Sequence, residues 1–385
     1  MRMNKKIFII VILLCIINLT ACSSQSAGNV SDAGFSRQVG SVFGTGFYFD
    51  TVVSFTVYGT DDESIIDTLF TICENGEYYF SATKSDGELY KLNKGEISKV
   101  SDWLYKCANR ANYYSEILNG KYDISIRPVS KLWDFRSGKA EVPDAKDIEK
   151  ALEKVNYQDI RFEDNSIINL GVLDDGTASI SKIPYYEMYL KEGMELDLGS
   201  AAKGFISDII CGYLKEEGIE SAIISLGGNV QCLGGKLIGE EEFEDFKVAV
   251  KNPYADLENR AKAADGDNDN NDDSNGSNAL NYSEILNVRD KAVVTSGIYE
   301  RCFEKEGVLY HHILDATIGY PVQNDLASVT IICDSGLDAD ILSTVCFIAG
   351  YEGTKEKYVQ LSKYGDFDAI FYFKDGTRKE IKASP

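Results

Sequence analysis

Residues 293–350 contain Val293-Val294-Thr295-Ser296-Gly297 near their start and Asp338-Ala-Asp-Ile-Leu-Ser-Thr344 near their end. They also hold the only two histidines of the 385-residue chain, His311 and His312. Asp340 and Thr344 are four residues apart, so a helix would place both side chains on one face. A carboxylate and a hydroxyl at that spacing can offer two oxygen ligands to one Mg²⁺. Ser335 followed by Asp338 predicts a capping box that starts the helix. By itself, the spacing favours an ordinary amphipathic helix whose core positions are Ile341, Leu342, Val345 and Phe347.

The N-terminus has the pattern of an export signal. A positive start containing Arg2, Lys5 and Lys6 precedes an apolar run at positions 7–19, and a small-residue cleavage pattern ends on Cys22. We expect residues 1–21 to be a lipoprotein signal peptide and Cys22 to carry the lipid, palmitate included. An uncleaved anchor helix is the alternative, although the apolar run is short for a membrane span. Either arrangement predicts an extracytoplasmic protein attached to the cell membrane.

Composition predicts a flexible tether at residues 22–41, which are rich in Ser, Gly, Ala and Asn, and one folded domain at residues 42–385. Residues 255–285 contain a run of Asp and Asn without the closing Glu of an EF-hand, so we expect a disordered acidic insertion rather than a calcium site. The seven cysteines after Cys22 form no CxxC pair, which predicts buried free thiols.

The formal net charge of −22 excludes nucleic acid as a natural partner. It also means that a phosphate-bearing ligand would need local help from a metal ion, a lysine or backbone N–H groups. Residues 195–205 offer such help. Asp197 is predicted to end a strand, Gly199 and Ser200 to form a turn, and residues 201–217 to form a helix, so that free N–H groups and Lys203 surround an anion site.

Strands, hairpins and helices alternate along the rest of the chain without a strict strand–helix–strand rhythm. The pattern includes a hairpin that turns at Glu306-Gly307, a strand at residues 327–333 and a closing hairpin through Lys374-Asp375-Gly376. This favours an α+β fold in a single large domain, with mixed or antiparallel sheets flanked by helices.

Nine short motifs, taken in order, resemble the FAD:protein FMN transferases, the ApbE-like flavin transferase lipoproteins, over roughly residues 43–373. They are Gly44-Thr45, residues 86–93, residues 122–133 with Tyr122-Asp123 and Trp133, residues 197–204, Gly227-Gly228-Asn229, Thr295-Ser296-Gly297, residues 312–321, residues 326–330 and residues 338–344. The resemblance implies the ApbE-like, T-fold-like architecture. It also implies an Mg²⁺-dependent enzyme that cleaves FAD at its pyrophosphate, attaches FMN to a Ser or Thr of an acceptor protein, and releases AMP.

The same resemblance implies roles for individual residues. Mg²⁺ would be held by Asp340 and Thr344 with help from Ser343 and Ser200, and His312 would act as the base for the acceptor hydroxyl. The residues expected to line the FAD site are Lys121, Tyr122, Asp123, Asp197, Lys203, Leu314, Thr83 and Phe43. Phe43 stands where the family often has Met, and Thr83 where it often has an aromatic residue, so one wall of the flavin pocket differs.

Three functions fit this sequence. The first is an FMN transferase acting on an exported or membrane redox protein. The second is an Mg²⁺-dependent FAD pyrophosphatase, and the third is a flavin-binding lipoprotein without catalysis. The Asp340–Thr344 pair and His312 favour the first. His311 and His312 are adjacent, so on a strand at most one of them can face the site.

Overall fold

The computed structural model describes residues 40–137, 140–172, 178–255 and 282–383. The predicted signal peptide, Cys22, most of the predicted tether and residues 256–281 of the predicted acidic insertion lie outside the described residues. One compact unit comprises Val39–Pro385. Within the described ranges, no helix combines the length and the apolar character needed to cross a membrane.

The principal helices are numbered in chain order. They are α1 (Ser64–Phe80), α2 (Glu88–Asn93), α3 (Asp102–Ile117), α4 (Arg127–Trp133), α5 (Ala145–Leu152), α6 (Ala202–Glu216) and α7 (Gly336–Leu361). Helix α7 is interrupted at Gly350, whose φ of 72° places this residue in the left-handed region that glycine tolerates.

The strands are β1 (Ser41–Tyr48), β2 (Thr51–Tyr58), β3 (Lys99–Val100), β4 (Arg161–Asp164), β5 (Ile167–Val172), β6 (Ala178–Ile183), β7 (Tyr186–Tyr189), β8 (Ala222–Leu226), β9 (Asn229–Leu233), β10 (Lys236–Leu237), β11 (Phe243–Glu244), β12 (Phe246–Lys251), β13 (Tyr282–Val288), β14 (Ala292–Gly297), β15 (Cys302–Lys305), β16 (Val308–His311), β17 (Leu314–Asp315), β18 (Tyr320–Pro321), β19 (Leu326–Cys333), β20 (Phe367–Phe373) and β21 (Arg378–Ile381).

Eight strands form the central sheet in the order β1-β2-β8-β9-β14-β19-β20-β21. Every neighbouring pair is antiparallel. Alternate side chains of a strand point to opposite faces of the sheet. In β2, Val53, Phe55 and Val57 therefore share one face, which is buried in the main core with residues of α1, α6 and α7. A separate cluster packs the β12–β13 hairpin, through Phe246 and Val248, against β9 and β14. The chain is thus a mixed α+β domain of antiparallel sheets and helices, which confirms the predicted fold class.

Most predicted elements are present. The helix predicted at residues 201–217 is α6, the hairpin at Glu306-Gly307 joins β15 to β16, and the closing hairpin joins β20 to β21. None of the seven cysteines of the body, all of which lie within the described ranges, forms a disulfide, and all but the half-buried Cys302 are buried.

Three boundaries were predicted wrongly. Ser41, placed in the tether, begins β1, and residues 282–285, placed in the acidic insertion, belong to β13 and pair with β12. Asp197 does not end a strand, because the side-chain amide of Asn93 bonds both backbone groups of Leu196 and replaces a neighbouring strand. Only an isolated bridge between Ile126 and Glu195 is present there.

Candidate active site

Asp340 lies in the first turns of α7 and is 4% exposed. Ser335 caps this helix by accepting a hydrogen bond from the Asp338 N–H at 3.1 Å, as the sequence predicts. The Asp340 Oδ2 atom accepts a hydrogen bond from the backbone N–H of Gly204 at 3.0 Å, and Oδ1 lies 3.7 Å from Lys203 Nζ. The carboxylate therefore sits against the first turn of α6, where N–H groups and the helix dipole stabilise negative charge.

Two glycines allow α6 and α7 to meet at this point. A Cβ atom on Gly204 would lie 2.0 Å from the Gly336 carbonyl oxygen and 2.7 Å from the Asp340 Cβ, and a Cβ on Gly336 would lie 2.7 Å from the Gly204 oxygen. No side chain fits at either position without moving a helix. Gly204 belongs to the motif at residues 197–204, but no local pattern indicates that Gly336 lies opposite it.

Three hydroxyl groups surround the next turn of α7. Ser343 donates a hydrogen bond to the Asp340 carbonyl at 2.8 Å, and its oxygen lies 2.7 Å from Ser296 Oγ. Ser296 Oγ is also 3.3 Å from the hydroxyl of Thr344. Ser296 comes from the end of β14, in the predicted Thr295-Ser296-Gly297 motif, although no role was predicted for it. Ser296 therefore links the hydroxyl groups of Ser343 and Thr344, which lie on the same helix as Asp340.

This donor set suits a hard cation. Within the described part of the chain, no three His, Cys, Asp or Glu side chains converge on one point. Mg²⁺ is typically held by one or two carboxylates together with waters and substrate phosphates, rather than by an all-protein cage. One buried carboxylate with neighbouring hydroxyl oxygens therefore fits Mg²⁺ better than a soft transition metal.

Ser200 and Tyr122 are joined at the turn before α6. Their hydroxyl oxygens are 2.9 Å apart, and Tyr122 is 5% exposed. Burial raises the pKa of the Tyr122 phenol far above its ordinary value, so the group stays protonated. The pair fixes the position of Ser200, for which the resemblance implies a metal-binding role.

Asp123, in contrast, directs its carboxylate into the chain. Its Oδ1 accepts hydrogen bonds from the N–H and the hydroxyl of Ser125, and its Oδ2 accepts one from the Tyr157 N–H at 2.7 Å. Burial raises the pKa of this carboxyl group, and the hydrogen bonds oppose that shift. Asp123 thus organises the turn that presents Tyr122 and Lys121.

Asp197 and Lys203 flank the turn at Gly199. Asp197 accepts a hydrogen bond from the Gly199 N–H at 3.0 Å, and Lys203 Nζ lies 3.4 Å from the Gly199 carbonyl oxygen. Arg127 lies 3.8 Å from Asp197 and donates to the Ala82 carbonyl at 2.9 Å. Arg127 therefore ties the loop that carries Thr83 to this turn.

The remaining predicted FAD-site residues are spread around these groups. The Lys121 carbonyl accepts a hydrogen bond from the Ala316 N–H at 2.9 Å, which places it beside the segment that follows the buried Leu314. Thr83 is exposed in its loop. Phe43 is 65% exposed on the edge strand β1, and no hydrogen bond or ring contact among the described residues joins it to Asp340.

The two histidines face different surroundings. His311 is 2% exposed, and its Nε2–H donates to the Val322 carbonyl at 3.0 Å. Burial lowers its pKa to about 4. His312 is half-buried, and its Nδ1 is buried without a hydrogen-bond partner among the described residues. Burial, followed by the charges of His311, Arg301 and Lys203, lowers the pKa of His312 to about 3. Both rings are therefore neutral at pH 7.

Comparison with known proteins shows the family and the fold. A protein of Treponema pallidum (strain Nichols) named FAD:protein FMN transferase is 32% identical over 326 residues, which cover 83% of this chain and 79% of the relative. A protein of the same name from Klebsiella pneumoniae (strain 342) is 32% identical over 331 residues, covering 84% and 86%. The solved structure of the flavin transferase ApbE from Vibrio cholerae superposes with a TM-score of 0.66 at 21% identity, covering 90% of this chain and 98% of that one, which shows the shared fold.

Together, the fold, the site and these relatives define a transferase enzyme. The model of the ApbE family matches residues 49–371. The chain belongs to the ApbE family.

Proposed function

We propose that this chain is an Mg²⁺-dependent FAD:protein FMN transferase. It cleaves the pyrophosphate of FAD, attaches FMN through a phosphoester to a Ser or Thr of an exported or membrane redox protein, and releases AMP. The observation that supports this most strongly is the contact of the Asp340 carboxylate with the Gly204 N–H and Lys203 of α6, on the helix that also carries the hydroxyl groups of Ser343 and Thr344. Oxygen ligands for a cation and positive groups for a phosphate meet there.

In this proposal Asp340 and Thr344, with Ser343 and Ser200, hold Mg²⁺. The ion would neutralise charge on the phosphate oxygens and so favour displacement at phosphorus. The hydrogen bond from the Gly204 N–H orients the Asp340 carboxylate. Lys203 contributes a positive charge on the side of Asp340 that faces the turn at Gly199.

His312 supplies the base. Its Nδ1 is buried, so Nε2 is the nitrogen available to an acceptor hydroxyl. As the hydroxyl oxygen bonds to the phosphorus of the FMN half, Nε2 takes the proton and the bond from phosphorus to the bridging oxygen breaks. AMP leaves with that oxygen. The neutral imidazole is ready for this step at pH 7.

The site of action follows from the N-terminal pattern. We propose that Cys22 is lipidated and that residues 22–41 tether the enzyme outside the cytoplasmic membrane. An acceptor that is itself exported or membrane-bound would then meet the enzyme in the same compartment.

The experiment uses the full chain in detergent with FAD, MgCl₂ and an exported acceptor domain that carries the Ser/Thr flavinylation motif. Covalent flavin is read as in-gel fluorescence after denaturation, and AMP is measured by chromatography. His312→Gln should reduce labelling by about 10²- to 10⁴-fold, as expected for loss of a general base. Lys236→Gln, on the remote strand β10, is the matched surface control and should label normally.

Each result decides between the three candidate functions. Labelling of the acceptor with release of AMP supports the transferase. AMP without labelling, in the presence of a competent acceptor, would instead identify an FAD pyrophosphatase. Recovery of intact FAD after prolonged incubation with Mg²⁺ would identify a flavin-binding protein without catalysis.

A further inference from the structure

Arg301 lies directly across a β-hairpin from His312. Cys302 pairs with His311 in the β15–β16 ladder, and the His312 N–H donates to the Arg301 carbonyl at 3.0 Å, so the pairing extends one residue beyond the strands. Side chains directly opposite each other on antiparallel strands lie on one face, with Cβ atoms about 5 Å apart. The Arg301 side chain therefore extends from the same face of the hairpin as the His312 imidazole.

The guanidinium of Arg301 has no ion-pair partner within the described residues, although it is half-buried. The neighbouring Arg136 is already paired with Asp50 at 2.7 Å. Burial, and next the positive charge of Arg136, lower the pKa of Arg301, while Asp50, Glu300 and Asp197 act in the opposite direction. A half-buried guanidinium that no acidic side chain of the described residues pairs is a position prepared for an anion.

The groups around Arg301 identify the kind of anion. Burial is the main cause of the low pKa of His312, and the positive charges of Arg301 and Lys203 lower it further, so both cations lie near the imidazole. Lys203 Nζ in turn lies 3.7 Å from Asp340 Oδ1 on α7. Two cations next to a candidate base and a candidate cation ligand suit a diphosphate. A planar guanidinium can bind two phosphate oxygens at once.

We infer that Arg301 binds the diphosphate of the dinucleotide substrate and holds it beside His312. The inference rests on the proposed function, because FAD supplies that diphosphate. No residue of the FAD site predicted from the sequence lies at this position, and Arg301 is separate from the oxygen ligands of α7. Its contribution is to ground-state binding of the phosphates, and it does not hold the flavin ring.

The test compares Arg301→Gln and Arg301→Lys with the parent full-length chain in detergent. Quenching of flavin fluorescence is titrated with FAD and with riboflavin, which has the ring but no phosphate, in EDTA so that the metal does not contribute. Arg161→Gln is the matched control, because the Arg161 side chain is 63% exposed and, among the described residues, pairs with its neighbour Glu163 and lies over the Tyr189 ring. Thermal unfolding of each variant reports on folding.

Arg301→Gln should weaken FAD binding by about 10- to 100-fold, the effect expected from loss of a charge-assisted, two-pronged contact. Riboflavin affinity should stay within about twofold. Arg301→Lys should recover part of the FAD affinity, since lysine keeps the positive charge but lacks the planar guanidinium that can bind two phosphate oxygens at once. Equal FAD affinity in Arg301→Gln and the parent would overturn the inference. Parallel loss of FAD and riboflavin binding would also overturn it, because that result would indicate a role in shaping the pocket.

The two proposals can fail separately. If the parent binds FAD through Arg301 and yet never labels an acceptor, the transferase proposal fails and the diphosphate site stands. If Arg301→Gln binds FAD and labels the acceptor as the parent does, the transferase stands and the Arg301 inference fails. A parent chain that binds no FAD overturns both.

Discussion

The carboxylates of Asp338 and Asp340 leave the first turns of α7 towards different partners, although only one residue separates them. Asp338 accepts hydrogen bonds from Arg110 at 2.6 Å and from the Tyr114 hydroxyl at 2.9 Å, both on α3. Asp340 faces α6, where Gly204 and Lys203 lie. One acid therefore fixes the helix to the domain, and the other is presented at the candidate active site.

Replacing Asp338 should affect stability more than binding. Asp338→Asn leaves Arg110 and the buried Tyr114 hydroxyl without their charged acceptor, so the free energy of unfolding should fall by about 1–3 kcal/mol. FAD affinity should remain within about twofold of the parent. Asp102→Asn, which breaks an exposed pair with Lys106 on α3, should cost less than about 1 kcal/mol. Denaturant unfolding and flavin titration measure both quantities, and an unchanged stability would contradict the assigned anchoring role.

Replacing Asp340 should remove the response to Mg²⁺. A ligand at ten times its dissociation constant stabilises the folded state by about 1.4 kcal/mol, which raises the melting temperature measurably. The parent should show this increase on addition of MgCl₂, and Asp340→Asn should not. Acceptor labelling by Asp340→Asn should fall by at least about 100-fold, as expected when charge stabilisation at phosphorus is lost. Asp334→Asn, at a 79% exposed side chain, is the matched acid control. An Mg²⁺-dependent shift that survives in Asp340→Asn would place the ion elsewhere.

The pH dependence of transfer should reflect the low pKa of His312. Unperturbed histidine titrates near pH 6.5. In the folded chain the pKa of His312 is lowered to about 3, so the free enzyme keeps a neutral base throughout the range between these values. The acid limb of kcat/KM should therefore lie well below pH 6.5. Initial rates of acceptor labelling between pH 4.5 and 8 measure it, and a limb near pH 6.5 would show that the imidazole is solvated or is not the base.

The same shift has a consequence for stability. Because His312 and His311 are neutral in the folded chain and become protonated when it unfolds in acid, their contribution to stability is lost as pH falls below 6.5 towards their folded pKa values. Above pH 6.5 both states are neutral and the two residues make no pH-dependent contribution. Urea unfolding of His311→Gln and the parent at pH 7 and 5 should show a smaller acid loss in the variant. An equal loss in both chains would mean that His311 does not titrate on unfolding.

Local sequence was sufficient where spacing alone determines geometry. The four-residue separation of Asp340 and Thr344, together with the Ser335 cap, correctly predicted a helix that carries both groups. The position of Arg301 could also have been predicted. Arg301 lies five residues before Glu306 and His312 lies five residues after Gly307, so antiparallel pairing across that turn places them opposite each other. Helix spacing and hairpin register can therefore be predicted from the sequence when the residues involved are close together in the chain.

Contacts between distant segments were not predictable from one sequence. Asp123 was assigned to the FAD site by resemblance, whereas its carboxylate bonds to Ser125 and Tyr157 and supports a turn. The Asp-x-Ser spacing does offer a local signal for such a turn. Nothing in the chain indicates that Arg110 will meet Asp338, or that Gly204 will meet Gly336, since these pairs form only when α3, α6 and α7 pack together.

The glycine contact between α6 and α7 can be tested with a control on the same helix. In Gly204→Ala the new Cβ would lie 2.0 Å from the Gly336 carbonyl oxygen, which is backbone and cannot rotate away. The helices must separate, so we expect a loss of about 1–3 kcal/mol in unfolding free energy. Because the Gly204 N–H orients Asp340, acceptor labelling should also fall. This fall should be larger than any loss of riboflavin affinity, which does not depend on Mg²⁺.

Gly212→Ala provides the contrast, since Gly212 lies on α6 and a Cβ there would meet nothing within 4 Å. Alanine is the better helix former by up to about 1 kcal/mol, so this variant should be as stable as the parent or slightly more stable, with full activity. The comparison separates the effect of adding a methyl group to α6 from the effect of adding it at the contact with α7. Equal behaviour of the two variants would mean that the helices can move apart without disturbing Asp340, and the close contact would then not be what positions the site.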